Sequence, residues 1–250
     1  MKKITKSALA AIPLLMSSSF ASAVLVDSEL SLVIDVSGSV STSEYNLMMD
    51  GYANAFRDPV VQNNILTNGT NGAIAVNAIF FASSAFTTSL DSYTLLNSVA
   101  SINAFADTLD NFGRPGSGGT TISTGMNKSL STLTGNNGFE STNLIMDVSG
   151  DGTSSISSTQ AARNAAAAAG VTVNGITIGS QGINTFYNNN VITNDGFSLH
   201  ANNFNDFAEG VKQKLRIETQ TNPVPVPATL ALLGLGLFSM VAIRRNRKES

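Results

Sequence analysis

The amino-acid sequence predicts an α/β fold: a Rossmann-like, doubly wound, mainly parallel sheet with one antiparallel edge strand and helices on both faces. Apolar strand-like segments alternate with amphipathic helical segments over residues 24–218. Two of the apolar runs, residues 30–35 and 144–148, end in or lead directly into acidic and hydroxyl side chains. Short continuous apolar runs are typical of buried parallel strands. The chain of 250 residues is long enough for one domain with a substantial core.

The first half of the predicted domain begins with the strand at residues 30–35. In residues 43–58 apolar side chains recur at intervals of three and four, which predicts an amphipathic helix that Pro59 ends. Residues 73–82 predict a second strand. Residues 84–90 follow it so closely that we expect a hairpin, which makes this third strand the antiparallel edge.

The second half continues the alternation around a loop at residues 113–119, which contains four glycines and a proline. The Ala-rich stretch at 161–169 has high helix propensity, and Gly170 is suited to end that helix. The other predicted elements are, in chain order, helices at 95–109 and 120–133, strands at 144–148, 171–178 and 196–201, and a helix at 204–217.

Both ends of the chain are predicted to be processing segments outside this domain. Residues 1–23 combine three lysines, an apolar run and a small-residue end, the pattern of a signal peptide cleaved by signal peptidase. Residues 219–227 form a proline-rich linker. Residues 228–250 contain an uncharged run, 228–243, followed by four basic residues. This pattern predicts a short segment in the inner membrane with its basic end in the cytoplasm.

Between these ends the chain is acidic and has no cysteine. Residues 24–222 contain 7 Lys and Arg and 16 Asp and Glu, a net charge of −9. This charge argues against a nucleic-acid partner, because phosphate binding needs a basic surface. The lack of Cys excludes disulfides, zinc–thiolate sites and a cysteine nucleophile.

Two of the predicted strands lead into loops that together form a candidate oxygen-rich site. Asp35, Ser37 and Ser39 follow one strand at intervals of two residues, and Asp151 follows the strand at 144–148. Because ligands bind beyond the carboxyl ends of parallel strands, we expect these side chains to converge. Carboxylate and hydroxyl oxygens suit Mg²⁺, Mn²⁺ or Ca²⁺. Either Asp, taken alone, could instead cap a helix that follows it.

The sequence Asp-Val-Ser-Gly-Ser at residues 35–39 resembles the metal-ion-dependent adhesion site of von Willebrand factor A (VWA) domains. In that family a Thr from a second loop and an Asp from a third complete the site. Gly118-Gly119-Thr120 and Asp151 match these two elements in the family's order, with Thr121 as the alternative threonine. The resemblance implies one bound divalent cation, with Mg²⁺ ahead of Mn²⁺ and Ca²⁺, and the ligands Asp35, Ser37, Ser39, Thr120 and Asp151.

Two further resemblances concern the C-terminal part of the chain. Residues 186–215 resemble a little-characterised bacterial branch of the VWA superfamily. The run of Val, Pro, Leu and Gly from Val224, with its basic end, is similar to PEP-CTERM sorting signals, which an exosortase processes in Gram-negative bacteria that make exopolysaccharide. That signal usually has Glu where this chain has Val226, so cleavage of the tail stays open.

Other chemical sites fit the sequence poorly. An EF-hand loop starting at Asp147 would have Ser158 at its twelfth position in place of the bidentate Glu. The glycine-rich loop at 113–119 is not followed by the Gly-Lys-Ser/Thr of a P-loop. His200 is the only histidine, and the chain has no Gly-x-Ser-x-Gly motif to supply a serine nucleophile.

The sequence therefore predicts an exported, metal-dependent binding or adhesion module of the cell envelope or extracellular matrix, and not an enzyme. The resemblance to VWA domains further implies an open metal position that accepts a carboxylate from a protein or polysaccharide partner. Two alternatives remain: a hydrolase that uses the ion as a Lewis acid, and a structural matrix protein in which the ion only stabilises the fold.

Overall fold

The computed structural model describes residues 22–220. The strands are β1 (Val24–Leu25), β2 (Ser28–Asp35), β3 (Ile74–Phe81), β4 (Thr94–Leu96), β5 (Phe139–Glu140), β6 (Leu144–Gly150), β7 (Val171–Ile178) and β8 (Ser198–Ala201). The helices are α1 (Thr42–Arg57), α2 (Pro59–Thr67), α3 (Val99–Asp110), α4 (Ile122–Thr134), α5 (Ile156–Ala168), α6 (Gln181–Asn190) and α7 (Phe204–Glu218), with a short 3₁₀ helix at Ser89–Asp91.

The two predicted processing segments lie almost entirely outside the residues that the structure describes. Residues 1–21 of the predicted signal peptide and the predicted membrane segment at 228–243 lie outside the described residues. Within residues 22–220, no helix has both the length and the apolar character needed to cross a membrane.

Six strands form one sheet in the order β4-β3-β2-β6-β7-β8. All neighbours are parallel except β4, which pairs antiparallel with β3 at one edge. Every residue of β2 is buried, as expected for a central strand covered on both faces. The α/β class, with a mainly parallel sheet and one antiparallel edge strand, is therefore confirmed. Strands β1 and β5 form a separate two-stranded sheet.

Helices cover both faces of the sheet and divide the apolar core into two layers. One face packs against α1, α2, α3 and α7 through a cluster that includes Met48, Phe56 and Phe207. The other packs against α4, α5 and α6 through a cluster that includes Met126 and Tyr187. Successive side chains along a strand point to opposite faces of the sheet, and both faces are covered here. This explains why the strands have nearly continuous apolar sequences.

The predicted edge strand at residues 84–90 is wrong. Only an isolated bridge between Phe81 and Ala85 forms there, and the antiparallel edge strand is β4, farther along the chain. The side chain of Thr88 instead caps the 3₁₀ helix, whose Asp91 is held by an ion pair of 2.7 Å with Lys128. These polar contacts fix a turn that the local pattern does not reveal.

Two helices were missing from the sequence-based prediction. Pro59 does end α1 as predicted, but it also occupies the first turn of α2, where its missing amide hydrogen costs nothing. The carboxylate of Asp58 caps α2 by accepting hydrogen bonds from two backbone amides. The polar segment that forms α6 has Tyr187 as its buried aromatic residue. Both helices are short, with nine and ten residues, so their apolar spacing covers too few turns to predict them from the sequence.

Replacing Phe207 by Ala tests how firmly α7 is attached to the core. The fully buried ring packs edge-on against Tyr52 with 5.5 Å between centroids. Because the cavity could refill only in part, we expect the free energy of unfolding in urea to fall by about 3–5 kcal/mol. The neighbouring Phe204, which is only partly buried, serves as the control, and Phe204→Ala should cost clearly less. Equal losses in the two variants would contradict this packing.

Candidate functional site

The candidate site lies where the two central strands β2 and β6 end. Asp35 is the last residue of β2, and Asp151 follows β6 directly. The two strands are paired in parallel, with Ile34 opposite Ser149. This register places both acidic residues at the same end of the sheet, as the sequence predicted.

The first loop turns back on itself through its own polar groups. The backbone amide of Ser37 donates a hydrogen bond of 2.8 Å to Oδ1 of Asp35. The next amide, that of Gly38, donates a hydrogen bond of 2.7 Å to the carbonyl oxygen of Gly118 in the glycine-rich loop. Because a Cβ atom at Gly38 would lie only 3.3 Å from that oxygen, glycine permits the two loops to approach closely.

A chain of side-chain hydrogen bonds links the three loops. The Thr120 hydroxyl donates to Oγ of Ser37 over 3.0 Å, and Oγ of Ser37 lies 3.2 Å from Oγ of Ser39. The Ser39 hydroxyl in turn donates to Oδ1 of Asp151 over 2.7 Å. The structure thus brings all five predicted site residues together. Of the two candidate threonines, Thr120 is the one whose hydroxyl contacts this chain.

Two residues hold the glycine-rich loop in place. Arg114 donates hydrogen bonds of 2.8 Å to the carbonyl oxygens of both Val36 and Ser37. The hydroxyl of Ser83 accepts a hydrogen bond of 2.7 Å from the amide of Gly119. Neither was proposed from the sequence. Arg114 had a visible signal, because it is the only Lys or Arg between Arg57 and Lys128 and it lies within the predicted loop.

The floor of the site contains an unsatisfied acceptor. Oδ2 of Asp35 is buried and has no hydrogen-bond partner among the described residues, and the same holds for the hydroxyl of Tyr187. A Cβ atom at Gly150 would lie 2.8 Å from that Oδ2 and 2.7 Å from the Tyr187 hydroxyl oxygen. Glycine at 150 therefore leaves room for both groups beneath the site.

Burial dominates the electrostatics of the two acidic groups. It raises the pKa of Asp35 to about 6; hydrogen bonds from Ser37 and the positive charge of Arg114 oppose this rise, and the negative charge of Asp151 adds to it. Burial also raises the pKa of Asp151, against the hydrogen bond from Ser39. Two carboxylates that share a partly dry site are stabilised in their charged form by a nearby cation.

The donor set is made of oxygen atoms only: two carboxylates and three hydroxyls. Among residues 22–220 no cluster of three or more His, Cys, Asp or Glu side chains is present, so hydroxyls must supply much of any coordination here. His200 lies on β8, and its Nδ1 is 3.0 Å from the Thr177 hydroxyl oxygen rather than near the site. Such a set fits a hard divalent cation.

The described domain is similar to several solved structures. The domain matches a von Willebrand factor type A protein from Catenulispora acidiphila (14% identity, TM-score 0.53, 78% of this chain and 43% of that one). It matches the mussel byssus proximal thread matrix protein 1 with a zinc-occupied MIDAS motif at 15% identity and a TM-score of 0.55, over 78% of this chain and 46% of that one. It also matches the pilus adhesin SpaC from Lactobacillus rhamnosus GG at 14% identity and a TM-score of 0.56, over 78% of this chain and 31% of that one. The chain spans less than half the length of each of these three proteins.

The fold is thus that of a VWA domain. Residues 25–223 match the family described as protein of unknown function DUF1194, and the chain belongs to that family. Residues 223–248 match the PEP-CTERM protein-sorting motif, which implies export across the membrane and processing by an exosortase. No curated relative matches the chain.

Replacing Arg114 by Met tests whether this side chain holds the site together. Methionine keeps the aliphatic length but removes both hydrogen bonds to the first loop, and hydrogen bonds from a charged donor contribute about 1.5–3 kcal/mol each at most. We expect the free energy of unfolding, measured in urea, to fall by about 1–3 kcal/mol. Arg163, a partly buried arginine on α5 that also donates a hydrogen bond to a backbone carbonyl oxygen, is the matched control. An Arg114→Met variant no less stable than Arg163→Met would contradict this role.

Proposed function

We propose that this protein is an exported, metal-dependent binding module of the cell envelope or extracellular matrix. In this proposal one divalent cation, Mg²⁺ in the first place, is held by Asp35, Ser37, Ser39, Thr120 and Asp151. The observation that carries the proposal is the buried Oδ2 of Asp35, which has no hydrogen-bond partner in the described part of the chain and lies beneath three converging hydroxyls. A buried acceptor without a partner is costly unless something binds it.

The arrangement of the five side chains supports binding of a partner from solvent. Asp35 and Ser37 are buried at the floor, Thr120 and Asp151 are half-buried, and Ser39 is exposed at the rim. The oxygen donors therefore approach from the protein side and leave the solvent side open. A cation held in this way attracts a carboxylate, so the partner class is an acidic protein segment or a polysaccharide that contains uronic acids.

Three further observations support a role outside the cell. The PEP-CTERM motif implies export, and the acidic charge of residues 24–222 suits divalent cations rather than nucleic acids. The mussel matrix protein and the bacterial pilus adhesin, which share the fold, are named for extracellular roles. Oxygen-only coordination favours Mg²⁺, Mn²⁺ or Ca²⁺ over the zinc of the mussel protein.

Metal binding is measured on the full chain in a mild detergent. At a concentration one hundred times its dissociation constant, a bound ion stabilises the folded state by ~2.7 kcal/mol, which corresponds to a rise of about 5–10 °C in melting temperature for a domain of this size. We expect this shift with Mg²⁺ and its reversal by EDTA. Ser37→Ala should abolish it, whereas Ser157→Ala, which changes a hydroxyl on α5, should not. A shift that persists in Ser37→Ala would place the ion elsewhere.

Partner binding is measured separately from metal binding. The Mg²⁺-loaded chain is passed over beads that carry polyglutamate or a uronic-acid polysaccharide, with neutral dextran as the reference. We expect retention on the acidic beads that EDTA and Ser37→Ala both remove. A melting shift without retention would contradict the binding role and support a structural role for the ion. Metal-dependent turnover of phosphoester, peptide or glycan substrates would instead support the hydrolase alternative.

A further inference from the structure

A second cluster of ionisable groups lies inside the domain, away from the candidate metal site. Lys214 on α7, Asp147 on β6 and Glu218 on the last turn of α7 have side chains that are 0–1% exposed. The Nζ atom of Lys214 is 2.7 Å from Oδ1 of Asp147 and also contacts Oε1 of Glu218. A lysine is rarely found fully buried, so these three groups need an explanation.

The ion pair between Lys214 and Asp147 is short, but its angles do not suit a hydrogen bond. Both carboxylate oxygens of Asp147 are buried, and neither takes part in a well-formed hydrogen bond with any described residue. Two carboxylates share one ammonium group here, which leaves a negative charge in a dry interior. Such clusters pay a large desolvation cost, and their members tend toward the uncharged forms.

The pKa shifts follow the same direction. Burial raises the pKa of Glu218 to about 7, with the charge of Lys214 opposing this rise and that of Asp147 adding to it. Burial also raises the pKa of Asp147, mainly against the charge of Lys214. Burial therefore favours the uncharged form of both carboxyl groups.

We propose that Lys214 and Asp147 condense to an intramolecular isopeptide bond that covalently joins α7 to β6, with Glu218 as the catalytic proton carrier. The juxtaposition of a buried amine, a buried carboxyl carbon and an adjacent third carboxyl group carries this inference. Holding the reacting groups in contact replaces a bimolecular reaction by an intramolecular one, which is worth up to about 10⁵–10⁸ M in effective concentration.

The reaction balances without any further reagent. Glu218 accepts a proton from the Lys214 ammonium group, and the free Nζ attacks Cγ of Asp147 to form the N–C bond. Glu218 relays two protons in total from Nζ to the departing oxygen, the C–O bond breaks, and one water molecule leaves. The ammonium and the carboxylate become a neutral amide, and Glu218 returns to its starting state.

The surroundings supply orientation and an exit for water. The side-chain amide of Asn174 donates a hydrogen bond of 2.8 Å to Oε1 of Glu218, while Oε2 of Glu218 has no hydrogen-bond partner within residues 22–220 and can carry a proton. The ring of Phe197 lies with its centroid 5.6 Å from Nζ of Lys214 and shields the amine. Asn174, Phe197 and Glu218 also line an open cavity of about 250 Å³, through which the released water can escape.

The bond would give this domain the covalent link that its sequence cannot provide through cysteine. Strand β6 leads directly to Asp151 at the candidate metal site, and α7 leads to the sorting motif at 223–248. A bond between Asp147 and Lys214 therefore connects the binding end of the domain to its C-terminal end. This inference does not depend on the proposed metal site.

Peptide mapping of the purified full chain tests the proposal. Trypsin cleaves after Lys128, Arg163, Lys212 and Arg216, but it does not cleave after a lysine whose Nζ is in an amide. We expect one branched product, residues 129–163 joined to residues 213–216, whose mass is lower than the sum of the two by one water molecule. Tandem mass spectrometry should locate the branch at Asp147 and Lys214.

Two variants separate the chemistry from the fold. Glu218→Gln keeps the shape but removes the proton carrier, and we expect residues 129–163 to appear unlinked. Glu209→Gln alters an exposed carboxylate on the same helix, and the link should form as in the unmodified chain. Cleavage after Lys214 with free 129–163 in the unmodified chain would overturn the proposal, whether or not a variant folds. An unreduced link in Glu218→Gln would overturn the role given to Glu218.

Discussion

The parallel pairing of β2 with β6 determines where the polar groups of this domain meet. Its register sets Ile34 opposite Ser149, so the two segments that follow these strands leave the sheet side by side. Their acidic residues therefore lie in the same loop region. Each of the two strands pairs with a neighbour on both sides, so their backbone hydrogen bonds are satisfied within the sheet. Helices cover both of its faces. A shift of this register by one residue would turn every side chain of β6 to the opposite face. It would separate Asp151 from Ser39 and withdraw Asp147 from Lys214 at the same time.

Much of this arrangement is readable in the sequence because it depends on local patterns. Apolar runs of strand length, followed by acids and hydroxyls, predicted the end of β2 at Asp35 and placed that of β6 two residues too early, and the Ala-rich stretch before Gly170 predicted α5. The prediction failed where a distant side chain decides the local structure. The turn around Thr88 depends on Lys128, some forty residues away, and no local alternation of residues reveals that contact.

The candidate site shows the same division between local and distant information. The spacing of Asp35, Ser37 and Ser39 defines one loop, and such a loop can be predicted. The role of Tyr187 could not be predicted, because its hydroxyl reaches the floor of the site from α6, a helix that follows all three loops in the chain. The contact of Lys214 with Asp147 is likewise invisible in sequence, where a lysine within an amphipathic helix is expected on the exposed face.

Burial explains both polar clusters but has different consequences in each. At the end of the sheet, Asp35 borders solvent-accessible hydroxyls, so its unsatisfied charge can be met by an ion from outside. Around Lys214 the ionisable side chains are 0–1% exposed, and the charge is removed most completely by forming a neutral amide. In the unfolded chain the same amine and carboxyl group are separated and hydrated, and in water their charged forms do not condense. The covalent link is therefore a product of folding, and it can form only after β6 and α7 have packed together and excluded water.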